Sequence, residues 1–455
     1  MPFDEENAGD PFRGDFPDRS AGEPRAELEP AIQRQITELA QRGRQPNVRH
    51  DLLRLLSQRR QGPGAAPIPL AFLPAPDRFD TLVVPGELLI TAESYERRAN
   101  PARPILDNLG ITASPAGAGE LEGRVLRLSH PHMGEEALAG VASDLRSQGY
   151  AVSLSNITPT APVAKAIGGP RPTTGPGPFS GDGCPGTPAR VAIIDTGITP
   201  ERRSDNWLAQ IPRGNDTDPL DAFPYPAGDG FLDLDAGHGT FVAGIIQQVA
   251  PDADIRIYRA IDSDGVGSEV DVACAMVRAV RDGAQIVNLS MGCQTIDDYP
   301  PIAIRAALDI IGDIEHEENR QVLVVAAAGN FADSRPSWPA AFREVVSVAA
   351  LTPELRPANW STRGFWVTCS TIGQGVRSTY VPGREAPLVN PDPFDYGADA
   401  WAAWSGTSFT APQISGAVAR LHDEQVPPRA ALRRLLRAGQ PIPEFGQALR
   451  VLPGM

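Results

Sequence analysis

The chain has 455 residues, 41% hydrophobic and 21% charged, which is the balance of a soluble globular protein too long for one small core. Its 56 acidic against 41 basic residues give a net charge of −15, which excludes nucleic acid as the main partner because phosphate binding needs a basic surface. No run of about 18 apolar residues occurs, so no membrane span is expected.

The acidic start MPFDEENAGDPFRGDFPDRS lacks the apolar core of a secretory signal and reads as disordered. Cys184, Cys274, Cys293 and Cys369 form no disulfide framework and fit no zinc spacing, although their even number leaves one or two disulfides open. Together these features predict a cytoplasmic protein. A helix follows in AELEPAIQRQITELAQRG, with Leu28, Ile32, Ile36 and Leu39 on one face. RHDLLRLLSQRR reads as a second short helix and GPGAAP as a linker, closing a first segment at residue 66. The apolar face of the helical pair is expected to dock on the rest of the chain, with an outside partner as the alternative.

Residues 67–157 alternate strand and helix patterns. TLVVPGELLIT reads as a strand or hairpin, GRVLRLSH and YAVSLSN as strands, and GEEALAGVASDLRSQG as a helix. This predicts a small α+β domain, ferredoxin-like in kind. The stretch 158–188 crowds prolines and glycines and reads as a linker or an exposed extended arm. From 189 to 455 the pattern becomes α/β: VAII before Asp195 is a continuous apolar run suited to a buried parallel strand, and ADIRIYRAI, QIVNLSM, QVLVVAAAG and EVVSVAAL read as further strands. Helical stretches separate several of them, and Ile414, Ala417, Val418 and Leu421 place a long helix directly after Ser408. Such a sheet puts catalytic groups at the carboxyl ends of strands and the starts of helices.

Three short segments carry chemistry: VAIIDTGI around Asp195, GHGTFVAGI around His238 and SGTSFTAP around Ser408. Each is weak alone, since Asp-Thr-Gly also presents the carboxylate of aspartic proteases and Gly-Thr-Ser is common in turns. In the order Asp, His, Ser they supply what acyl transfer needs. Serine is the nucleophile, histidine takes its proton, and a carboxylate fixes the imidazole tautomer. An aspartic protease would need a β-rich fold and a second such aspartate, whereas this pattern is α/β with one Asp-Thr-Gly.

Asp195-Thr196-Gly197-Ile198, His238-Gly239-Thr240 and Gly406-Thr407-Ser408 with Pro412 resemble the motifs of the subtilisin-like serine proteases, the subtilases. The resemblance spans about 190–435. It implies a three-layer α/β fold with a mostly parallel sheet and a serine endopeptidase using Asp195, His238 and Ser408. Asn330, ending VVAAAGN, matches the family's oxyanion-hole amide, with the Ser408 backbone N–H as second donor. Gly265-Val266-Gly267 and Ser290-Met291-Gly292 resemble the two segments that clasp a substrate backbone, and Ser337 the base of the primary pocket, where it favours an uncharged side chain.

The departures are Phe241, where relatives often have a second histidine, Phe409 in place of the common methionine, and Gln413 after Pro412. The compact stretch HGTFVAGIIQQVAPDADIR leaves no room for the calcium loop of many relatives, so neither a metal nor any other cofactor is expected. TYVPGREAPLVNPDPFDYGADAW is extra and is expected to border the primed side of the cleft. By the same resemblance, 67–157 stands where the family carries an inhibitory propeptide, and 158–188 would hold an autoprocessing point. The implied partners are a protein or peptide substrate and this intramolecular inhibitor. The alternative is a catalytically silent binding or regulatory protein on the same fold.

Overall fold

The structure is a computed structural model that describes residues 25–42, 54–61, 68–74, 81–97, 99–158, 169–179, 188–387, 393–423 and 425–452. The acidic start and the GPGAAP linker lie outside them.

Helix α1 (Arg25–Arg42) buries Leu28, Ile32 and Leu39, and its Ile36, Leu39 and Ala40 pack on Ala350, Ala358 and Trp360. Helix α2 (54–59) sets Leu56 against Leu82, Ile157 and Val266. The helical pair therefore docks on its own chain.

Strand β1 (Ala71–Leu73), β2 (Thr81–Thr91), helices α3 (Ala92–Glu96) and α4 (Arg103–Asn108), β3 (Thr112–Pro115), β4 (Val125–Ser129), α5 (Glu135–Ser147) and β5 (Val152–Asn156) follow. Apart from β1, which flanks the start of β2, the succession is βαββαβ and the antiparallel order is β3-β4-β2-β5, the ferredoxin-like arrangement. TLVVPGELLIT is one 11-residue strand rather than a hairpin. Pro85, which has no N–H to donate, falls in the register shift between Val83 and Leu88, where the ladder does without it.

Strand β6 (Arg171–Thr173) lies in the stretch expected to be a linker or arm, yet Gly169, Pro170 and Arg171 are buried. Beyond it come β7 (Arg190–Asp195), α6 (His238–Val249), β8 (Asp254–Arg259), α7 (Glu269–Arg281), β9 (Ile286–Leu289), α8 (Ile302–Glu317), β10 (Leu323–Ala327), β11 (Val345–Leu351) and β12 (Cys369–Ile372). The chain closes with β13 (Val376–Thr379), β14 (Gly383–Arg384), β15 (Asp395–Tyr396), β16 (Trp401–Trp404), α9 (Ala411–Leu421), α10 (Pro428–Arg437), β17 (Gln440–Ile442) and β18 (Gly446–Ala448). The main sheet runs β17-β18-β12-β11-β10-β9-β7-β8, parallel throughout except for β17. Helices cover both of its faces: Val191 and Ile193 of β7 join one core with α6 and α9, whereas Ala192 and Ile194 join another with α7 and α8. That double burial explains the unbroken apolar run VAII. β6 pairs antiparallel with β16, and Arg171 sits over the Phe394 ring and 3.8 Å from Glu385, which anchors part of the Pro/Gly-rich stretch. Of the cysteines, Cys274, Cys293 and Cys369 are free thiols, and Cys184 lies outside the described residues.

Candidate active site

The sheet brings Asp195 and His238 into direct contact. Asp195 ends β7, His238 opens α6, and both are fully buried. His238 Nδ1 lies 2.7 Å from Asp195 Oδ1, which also accepts the Thr196 N–H at 2.8 Å. His238 Nε2 has no hydrogen-bond partner among the described residues. The motif glycines make this approach possible: a Cβ on Gly239 would lie 2.3 Å from the Gly197 carbonyl oxygen, and Gly197 itself has φ +112°.

Ser408 lies in a single 3₁₀ turn (Thr407–Phe409) that runs into α9, and this turn packs on α6. The Ser408 carbonyl accepts the Ser290 hydroxyl at 2.8 Å, and the Phe409 ring lies 5.6 Å from His238 between centroids. Asn330 stands just beyond β10. Its Oδ1 accepts the Thr407 N–H at 3.0 Å and the Thr407 hydroxyl at 2.9 Å. The backbone donor fixes the amide's orientation, so Nδ2 is the end left to donate; it lies 3.7 Å from where a Cβ on Gly406 would sit.

Two supports were not picked out by sequence reading. Asp218, fully buried in the loop before α6, accepts the Thr196 hydroxyl (2.9 Å) and the N–H groups of Gly237 (2.8 Å) and Leu220 (3.1 Å). It thereby ties the strand end bearing Asp195 to the helix start bearing His238. Burial pushes its carboxyl up to about 6 despite those hydrogen bonds. Its context, DTDPLD, carries no signal that separates it from any loop aspartate. The second support is aromatic: Phe241, Trp404 and Phe409 stack on one another, and Trp404 and Phe409 also flank His238. Phe241 and Phe409 are the two aromatic departures noted above: Phe409 walls the imidazole together with Trp404, and Phe241 packs on both of those rings.

The other expected site residues gather nearby. Gly292 and Gly329 both face Ser337, whose buried Oγ, without a hydrogen-bond partner among the described residues, would lie 2.9 Å from a Cβ at either glycine. The edge Ser290-Met291-Gly292 continues into Cys293, which pairs with Trp338. The Ser290 hydroxyl faces inward to Asn288 and Ser408, and Met291 is buried, so this segment offers its backbone rather than its side chains. On the other segment, the Gly267 carbonyl accepts the Thr158 N–H at 2.8 Å, and Ile157 forms an antiparallel bridge with Ser268. The end of β5 thus runs onto Gly265-Val266-Gly267. Glu269, fully buried one residue further on, accepts N–H groups of Asn156 and Ala303; burial pushes its carboxyl up to about 7.

A family profile described as the subtilase family (peptidase S8) matches residues 186–436, and the chain belongs to that family. Among curated proteins it is 30% identical over 246 residues to the thermophilic serine proteinase of Bacillus sp. (strain AK1), an alignment covering 51% of each chain. It is 27% identical over 249 residues to thermitase of Thermoactinomyces vulgaris, covering 52% of this chain and 76% of that one. The match therefore spans about half the length of the first of these relatives. The crystal structure of fervidolysin from Fervidobacterium pennivorans, a keratinolytic enzyme related to subtilisin, superposes with a TM-score of 0.54 at 19% identity, over 81% of this chain and 60% of that one. At that identity the likeness concerns the fold.

Proposed function

We propose that the chain is a serine endopeptidase in which Ser408 is the nucleophile, His238 the general base and acid, and Asp195 the carboxylate that orients it. The observation that carries this reading is the buried 2.7 Å contact of His238 Nδ1 with Asp195 Oδ1, within the span matched by the subtilase family. Asp195 holds the proton on Nδ1 and leaves Nε2 to take the Ser408 proton. Ser408 Oγ then bonds to the substrate carbonyl carbon, and the oxyanion accepts hydrogen bonds from Asn330 Nδ2 and the Ser408 N–H. His238 passes its proton to the departing amine as the peptide C–N bond breaks. Water repeats the sequence on the acyl-enzyme, regenerating Ser408.

In this reading the N-terminal domain keeps the enzyme latent. The pairing of Ile157 and Thr158 with Ser268 and Gly267 supports it, because those backbone groups would otherwise serve a substrate strand. Treatment with a fluorophosphonate probe tests the chemistry: Ser408 is labelled and Ser408→Ala is not. Equal labelling of both overturns the assignment. Activity of the full chain that rises when Thr158→Pro removes the N–H donated to Gly267 supports latency, whereas unchanged activity refutes it.

A further inference from the structure

We propose that Gln35 of α1 is a positioning residue for the loop that carries Ser408, which makes α1 part of the catalytic unit. The inference rests on the serine endopeptidase reading above. Gln35 is fully buried, and its amide makes three hydrogen bonds, two to the segment leading to Ser408 and one to the Pro/Gly-rich stretch beside it. Nε2 donates to the carbonyls of Gly169 (2.9 Å) and Ala403 (3.2 Å), and Oε1 accepts the Ser405 hydroxyl at 2.8 Å. The Ser405 Oγ in turn accepts the Gly375 N–H at 3.0 Å.

These bonds fall on the approach to the nucleophile. Ala403 lies in β16, Ser405 is three residues before Ser408, the Gly406 N–H donates to the Gly373 carbonyl, and Thr407 is held by Asn330. Almost every residue from 403 to 407 is thus fixed by a partner, and two of those fixings come from one side chain remote in sequence. Ala403 and Arg171 are paired in the β16–β6 ladder, so Gln35 also clamps the end of that ladder. Ile32, Ile36 and Leu39 seat the helix that presents it. Without Gln35, a hydroxyl and two carbonyls would lose their partners in a dry setting. A glutamine serving only to seat α1 would bond to groups anywhere on the docking face; this one bonds to the segment leading into the nucleophile.

The test uses the full chain and compares the wild type with Gln35→Met, Ser405→Ala and the double variant. The readouts are the rate of fluorophosphonate labelling at Ser408 and, in the uncut full chain with Thr158→Pro added to every variant, kcat and KM on a chromogenic peptide. Gln35→Met keeps the length of the side chain and removes its hydrogen bonds. Labelling rate and kcat are expected to fall roughly 3- to 10-fold, the loss of one or two hydrogen bonds, with KM within about twofold. Ser405→Ala gives a similar loss, and the double variant falls by less than the product of the two single losses, because the Gln35–Ser405 hydrogen bond is lost in both single variants. Labelling by Gln35→Met at the wild-type rate, or losses that multiply in the double variant, overturns the inference. Should Gln35→Met fail to fold, Ser405→Ala alone decides, and a normal kcat there is refutation. A wild type that does not label at Ser408 refutes the protease reading itself, and this inference with it.

Discussion

Replacing Arg59 with methionine in a chain made inert by Ser408→Ala should destabilise the protein by an amount that grows with pH. Arg59 is the last residue of α2 and is almost fully buried, as are the Asp233 and Asp264 carboxylates it joins, at 2.7 and 3.0 Å. Burial works against its charge, but the hydrogen bond and charge of Asp264, with the charge of Asp233, outweigh that and hold its pKa above the ordinary arginine value. Burial, then the neighbouring Asp264, push Asp233 up to about 7, against hydrogen bonds from Ser263 and Ala222 and the charge of Arg59. A carboxyl whose folded pKa exceeds its unfolded value of 3.8 contributes stability that is complete below that value and is lost as pH rises through about 7. Without Arg59 the folded pKa rises further. At pH 5 Asp233 is protonated with or without Arg59, so the attraction between Arg59 and Asp233 drops out of the difference and the other contacts of Arg59 set it. Above pH 7 the gap widens by about 1.4 kcal/mol per pH unit, toward the roughly 3–5 kcal/mol typical of a broken buried pair. Arg60, 3.3 Å from Asp264, limits the loss on that side. Urea-denaturation midpoints measured from pH 5 to 9 read this directly. A difference between the two proteins that is the same at pH 5 and pH 8.5 would show that Asp233 is not the linked group.

Three further outcomes are expected. Asn330→Ala should lower kcat by about 10²–10³ with little change in KM, because its amide is needed only once the oxyanion forms; a KM-only effect would remove it from the oxyanion hole. Ile157→Ala, deleting a fully buried side chain packed on Leu56, Leu82 and Val266, should cost about 2–5 kcal/mol and show as earlier release of activity from the latent chain, timed with a fluorogenic peptide. Asp218→Asn must turn an NH₂ group toward one of three donors. A penalty of about 1–3 kcal/mol should appear as a lower melting temperature together with a reduced kcat, whereas an unaltered kcat would confine Asp218 to stability.

Much of the architecture could be read from residue order because the helical and strand periods were clean. β7, β10 and β11 are largely apolar runs, β8 alternates apolar with polar, and α5 and α9 carry an apolar face. What escaped detection depends on distant partners. β6 forms because β16, some 230 residues later, offers it an edge, and nothing local in RPT announces a strand. β12 to β18 are pieces of two to four residues, so no period of two has room to build up. At the site, Asp195, His238, Ser408 and Asn330 stood out through their neighbours: glycines that let backbones touch, and an apolar strand or helix pattern on one side. Asp218 and Gln35 act by filling donor and acceptor sites on other segments, and a lone Asp or Gln has no neighbours that reveal such a task.

The ladder that joins β7, β9 and β10 pairs Ile194 with Leu289 and Leu289 with Ala326. Asp195, Ser290 and Ala327 are the next residues on three adjacent strands, spaced about 4.8 Å apart by their hydrogen bonds. The sheet therefore works as a ruler, with carboxylate, Ser408-supporting edge and the approach to Asn330 at successive marks. A one-residue deletion in any of these strands would shift its mark by a full residue and turn its side chains to the opposite face. Residues inserted in the loop between α8 and β10 leave the marks where they are, whereas the loop between β7 and α6 must still deliver Asp218 to the strand end and the helix start.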